Sequence, residues 1–142
     1  MSALDALQAA LAGEHACIYG YGVVGGNLPD EQVDAAREAL QTHRSRRTPL
    51  AEQIRLRNGE PVAAFPAYEL PFPVEDAGSA RELAALLEQR LATIYADVVA
   101  LSNLGGVRRL ATTALAESAQ LTARWTGDIT AMPGIDPAPQ PL

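Results

Sequence analysis

The chain reads as all-α, a four-helix bundle, and three observations predict it. Four stretches repeat apolar residues at alternating steps of three and four, the spacing that holds one face of a helix against a core. Each stretch sets an ionisable side chain at or beside that face near its middle, and a long proline-rich connection separates the second from the third.

The first stripe is Leu4, Leu7, Leu11, Glu14, Ile18, Tyr21, Gly25 and Leu28, so a helix over about residues 2–27 turns Glu14 inward. The second begins after Pro29-Asp30, a helix-start signal, and runs Val33, Ala36, Leu40, His43, Arg47, Leu50 and Ile54 over about 30–57. It points His43 and Arg47 inward, with Arg46 beside them. The third is Ala84, Leu87, Leu91, Ile94, Val98 and Leu101, over about 79–104, with Ser79 and Glu82 as a capping box. Glu88 and Tyr95 stand one position to its side. The fourth follows the breaker Gly105-Gly106 and runs Val107, Leu110, Ala114, Glu117, Leu121 and Arg124, over about 107–130. Glu117 lies inside it.

Residues 58–78 contain Pro61, Pro66, Pro71 and Pro73, so no helix runs through them. A bundle helix of roughly 26 residues is about 39 Å long, whereas this segment reaches about 69 Å when extended. It can therefore climb the whole bundle and start the third helix parallel to the second, which is the single crossover of the ferritin-like topology. Phe65, Tyr68 and Phe72 are its expected anchors on the bundle surface. A single domain over 1–131 follows, with a proline-rich tail over 132–142.

With 142 residues, nearly half of them apolar, the chain can build one core and not two. All basic residues are arginine, as in a GC-rich bacterial genome. A net charge of -6 without a basic tract argues against nucleic acid or an anionic membrane as partner. Arg44, Arg46, Arg47, Arg55 and Arg57 gather on the second helix, read here as a solvated or interface face. No stretch has the apolar length of a membrane span and no signal peptide is evident, so the expected location is cytoplasmic. The single cysteine, Cys17, fits a reducing compartment and is expected to pack as a small apolar residue.

Residues 20–25, Gly-Tyr-Gly-Val-Val-Gly, spell the dinucleotide-binding fingerprint. That fingerprint works only where a strand turns into a helix whose N-terminus meets a pyrophosphate. These glycines end a helix instead, and His43-Arg44-Ser45 stands where a ribose-binding acid is required. Close packing of a helix end is the expected reason for them, and exposed ones should weaken that end by about 1 kcal/mol each.

Antiparallel neighbours bring Glu14, His43, Glu88 and Glu117 into one mid-bundle layer, the candidate metal ligands. Carboxylates buried there need partners or a cation. A di-metal bundle takes two lone glutamates and two Glu-x-x-His pairs. Both pairs are broken here: Glu117 is followed three residues later by Gln120, and Glu38 by Gln41. His15, adjacent to Glu14, points about 100° away from it. A guanidinium in the layer would oppose a divalent cation. The preferred expectation is thus a salt-bridged core of Glu14, His43, Arg47, Glu88 and Glu117, closed by Tyr21 or Tyr95 and with Arg46 also within reach of the layer, with no cofactor. Iron or manganese on the same residues is the alternative.

The segments Glu14-His15-Ala16-Cys17-Ile18-Tyr19-Gly20-Tyr21-Gly22, His43-Arg44-Ser45-Arg46-Arg47, Ala67-Tyr68-Glu69-Leu70-Pro71, Tyr95-Ala96-Asp97 and Ala123-Arg124-Trp125 resemble a family of ferritin-like domains of unknown function found in actinobacteria. The resemblance spans nearly the whole chain and implies the ferritin-like fold without an activity. Two function classes follow. One is a non-catalytic binding or assembly module, expected to form a homodimer through alanine-rich faces and the Trp125 region. The other is a metal-binding carboxylate protein or oxidoreductase.

Overall fold

The computed structural model describes residues 1–103 and 105–127. The tail expected over 132–142 lies outside the described residues, as does the last part of the expected fourth helix. The described residues form four helices: α1 (Ala3–Gly25), α2 (Asp30–Leu56), α3 (Ala77–Leu101) and α4 (Gly105–Thr126).

Local signals fix where each begins and ends. Ser2 caps α1: its hydroxyl accepts the Asp5 N–H while the Asp5 carboxylate takes the Ser2 N–H in return. Pro29 enters α2 with Asp30 and Glu31 in the first turn, where the helix dipole favours acids. Pro49 sits inside α2 and removes one helical N–H, yet the helix continues because Leu50 and Ile54 behind it are fully buried. At its end Asn58 takes a left-handed φ of 61°. The Asn58 and Gly59 N–H groups then reach back to the Arg55 and Ile54 carbonyls, a Schellman ending. A Cβ at Gly59 would stand 2.8 Å from Leu4 Cδ1 and 2.9 Å from Ile54 Cγ2, so any side chain there would have to push both methyl groups aside. The start of α3 differs from expectation. Asp76, not Ser79, is the cap, accepting the Ser79 N–H at 2.7 Å while the Ser79 hydroxyl receives the Asp76 N–H.

Paired contacts give the direction of each helix. Glu14 meets Tyr95 while Tyr21 meets Glu88, so α1 and α3 are antiparallel. Leu4 lies against Gly59, at the far end of α2, and Glu14 against His43, so α1 and α2 are antiparallel too. Consequently α2 and α3 are parallel, and Arg81 near the start of α3 bonds Gln32 near the start of α2 at 3.0 Å. This is the ferritin-like arrangement, with residues 57–76 crossing between them.

The crossover is tied to α1. Gln8 donates to the Glu60 carbonyl at 2.6 Å and accepts the Val62 N–H at 2.9 Å, and His15 Nε2 bonds the Val62 carbonyl at 3.0 Å. Val62, Leu70, Phe72 and Val74 pack on the core. Tyr68 rests on Tyr19. Phe65 departs from expectation: it is 67% exposed and meets only the edge of Tyr68.

Two glycines let α1 and α3 approach closely. A Cβ at Gly13 would come within 2.7 Å of Leu91 Cδ1, and one at Gly20 within 2.3 Å of Leu87 Cδ1. Gly22 and Gly25 face open space, so close packing explains only the first glycine of the fingerprint-like run. The whole run lies in the last turns of α1, without a strand before it.

The apolar faces of α2, α3 and α4 sit one position away from the expected stripes at several points. In α2 the buried set is Ala36, Ala39, His43, Arg46, Leu50 and Ile54; in α4 it is Val107, Ala111, Ala114, Ser118, Ala123 and Trp125. In α3, Glu88 and Tyr95 are central rather than lateral, and Leu101 is partly exposed. Small residues take the inner positions because α1 packs tightly on both α2 and α3, and α3 on α4. The larger Leu40, Leu110 and Leu121 seal the seams from the side.

Candidate functional site: a polar belt at mid-bundle

A continuous chain of hydrogen bonds links all four helices at mid-height. On α2, His43 is fully buried and lies between two carboxylates: Nδ1 is 2.5 Å from Glu14 Oε2 on α1, and Nε2 is 2.6 Å from Glu88 Oε1 on α3. One turn later Arg46 forks, Nη1 donating to Glu14 Oε1 at 3.1 Å and Nη2 to Glu117 Oε2 on α4 at 2.5 Å. Tyr95 donates its hydroxyl hydrogen to Glu14 Oε1. Tyr21 donates to Glu88 Oε1 at 2.6 Å, and the Trp125 indole N–H donates to the Tyr21 oxygen at 2.9 Å. The Tyr21 ring stacks on the His43 imidazole at 5.4 Å, and Arg46 lies over the Tyr95 ring at 5.6 Å. The chain begins and ends on α4, which faces α2 across a cleft of about 360 Å³.

The electrostatics follow from that geometry. Burial, the largest influence on His43, disfavours its charged form, but the hydrogen bonds and charges of Glu14 and Glu88 outweigh it and lift its pKa to about 9. The ring is therefore an imidazolium at neutral pH, donating from both nitrogens. Burial also opposes the charge of Arg46, and Glu14 and Glu117 restore it with a net upward shift. Burial and the adjacent Glu88 push the Tyr21 phenol far up; burial and Glu14 do the same for Tyr95. Both stay protonated donors. Cys17, buried near the same carboxylates, has its thiol pKa raised, and it is packed in the core as an inert thiol. Two cations, His43 and Arg46, thus face two buried acids, Glu14 and Glu88, while Glu117 closes the belt from a position whose side chain is 45% exposed.

Not every expected residue joins the belt. Arg47 does not: it lines a groove between α1, α2 and the crossover, because Arg46 holds the inward position three residues after His43. Glu117 reaches the belt from the rim, and the fully buried position beside it belongs to Ser118. Trp125 is 7% exposed and its indole N–H is spent on Tyr21, so the side chain packs in the core. Ser118 and Trp125 stand seven residues apart on a stripe through Val107, Ala111 and Ala114, a signal that the larger Leu110 and Leu121 on the neighbouring stripe mask.

A di-metal centre does not fit this donor set. Both nitrogens of the inward histidine donate to carboxylates, a guanidinium occupies the space between Glu14 and Glu117, and no Glu-x-x-His pair faces the interior. Gln120 and Glu38 line the α2/α4 cleft, and Gln41 lies exposed on the outside. Among the described residues no three His, Cys, Asp or Glu side chains are arranged to hold a metal ion. Near the belt, Glu88 Oε2 and Ser118 Oγ are buried without a hydrogen-bond partner among the described residues.

Known structures of the same fold bear this architecture out. A conserved hypothetical protein, rv2844, from Mycobacterium tuberculosis aligns with 37% identity and a TM-score of 0.85, covering 88% of this chain and 96% of that one. A ferritin-like, diiron-carboxylate protein from Bacillus anthracis str. Ames aligns at TM-score 0.77 with 16% identity, covering 88% and 93%. It shares the fold. No curated protein matches the chain. Residues 6–137 match a family described as a domain of unknown function, DUF4439, and with a relative at 37% identity alongside, the chain belongs to that family.

Proposed function

We propose that this chain is a binding or assembly module in which a structural polar belt replaces the di-metal centre of a ferritin-like bundle, with no catalytic centre of its own. The observation that carries this reading is the His43 ring bridging two buried carboxylates, one nitrogen against each. His43 supplies the positive charge between Glu14 and Glu88 that a metal would otherwise supply, and Arg46 supplies a second one between Glu14 and Glu117. A cluster neutralised in this way is a fastener across four helices. A homodimer, the commonest soluble assembly, is the oligomer that goes with the reading, and the cytoplasm its compartment.

One observation favours a second reading, a carboxylate protein that binds iron or manganese. Glu88 Oε2 and Ser118 Oγ are buried without partners, and an unpaired carboxylate oxygen attracts a cation or a water. Glu14, His43, Glu88 and Glu117 are the residues that would take part. Elemental analysis after reconstitution with each metal separates the two, together with thermal melts of wild type and His43→Ala. Sub-stoichiometric metal and unchanged melting are expected. Near-stoichiometric iron, manganese or zinc, with a metal-dependent rise in melting temperature lost in His43→Ala, would establish the second reading instead.

A further inference from the structure

A second concavity, of about 430 Å³, lies between α1, α2 and the crossover, and its chemistry is unlike that of the belt. Arg44, Arg47 and Arg55 line it together with Thr48, all from one side of α2, while Leu11 and Val62 form apolar wall. The chain carries 17 acidic residues against 11 basic ones, yet no carboxylate lines this groove. None of the three arginines makes an ion pair with a described residue; Arg46 and Arg37 do. Three like charges gathered without a counter-ion in an acidic protein repel one another and create a local positive basin. His15 also lines the groove. Its Nε2 is fixed to the Val62 carbonyl, whereas Nδ1 is buried and has no partner among the described residues.

We propose that this groove binds a soluble small molecule bearing a phosphoryl or pyrophosphoryl group. Guanidinium forks match pairs of phosphoryl oxygens, and three of them suit an anion of more than one charge. Thr48 adds a hydroxyl donor, and Leu11 and Val62 take the ligand's apolar part. A long polyanion or an anionic membrane is disfavoured by the overall charge of -6. The site is separate from the belt, and it stands whether or not the belt holds a metal.

The test is calorimetric titration of the whole chain with inorganic pyrophosphate, at low and at physiological ionic strength. Saturable one-site binding is expected, weakened at least about tenfold in Arg47→Gln/Arg55→Gln and unchanged in Arg37→Gln, which lies outside the groove. Absence of saturable binding by the wild type would overturn the proposal without any variant. Binding that survives the double substitution, or that falls equally in Arg37→Gln, would overturn it as well. A parallel sedimentation with vesicles of anionic phospholipid is expected to leave the protein in solution; sedimentation without pyrophosphate binding would assign the arginines to a lipid surface and refute a soluble ligand.

Discussion

Arg46 and Arg47 are adjacent in sequence and opposite in consequence. Arg46 is 7% exposed and, among the described residues, the only cation between Glu14 and Glu117, so Arg46→Met strands Glu14 with one charge partner fewer in a dry interior. A loss of about 3–5 kcal/mol is expected, read by chemical denaturation, with the smaller share coming from the half-exposed Glu117. Arg47→Met should change stability by less than about 0.5 kcal/mol, since nothing buried depends on it. His43 adds a pH dependence. Unfolded, the ring titrates near its ordinary value of about 6.5; folded, it titrates near about 9. Its contribution is therefore complete below about pH 6.5 and is lost as the pH rises through about 9. A gap of about 2.5 pH units corresponds to about 3 kcal/mol. Wild type should lose roughly that much between pH 6.5 and 10, and His43→Gln should lose much less.

At the scale of elements, α1 carries the most tightly fitted surface, because it meets α2, α3 and the crossover at once. Gly20 is needed where it stands. Gly20→Ala drives a methyl into Leu87 and should destabilise by about 1–2 kcal/mol, whereas Gly22→Ala, in open space on the same helix, should stabilise by about 0.5–1 kcal/mol. Thermal melts of the two variants read the difference directly. The crossover depends on one side chain of α1. Gln8→Ala removes the acceptor for the Val62 N–H and the donor to the Glu60 carbonyl, and should speed hydrogen exchange at Val62 by tenfold or more while α2 and α3 stay protected. Element type, order and the single crossover were legible from periodicity and prolines, and so were Glu14, His43 and Glu88, which sit at the centre of their helices. The choice between Arg46 and Arg47, or Glu117 and Ser118, was not. Alternating steps of three and four admit two stripes one residue apart, and the larger Leu40, Leu110 and Leu121 drew the reading toward the seam side. In a tightly packed bundle the innermost positions go to small residues such as Ala39, Ala111 and Ser118, so side-chain size misleads about depth.

Over the whole molecule, the belt does what packing alone does not. α4 lies against α3, α3 against α1 and α1 against α2, leaving the cleft between α2 and α4; the Arg46–Glu117 pair spans that opening, while Trp125 and Tyr21 tie the other end of α4 to α1. On the proposed reading, a charged fastener in this position sets the relative register of the four helices. Its identity rests on one proton, the second one on His43. Nitrogen-15 NMR of the His43 ring in the wild-type protein at pH 7.5 reads it directly: both ring nitrogens should carry the chemical shifts and attached protons of an imidazolium, and should keep them on addition of zinc. A neutral ring with one bare nitrogen at that pH, moving to a metal-bound shift when zinc is added, would contradict the structural belt and place a cation site at the centre of the bundle.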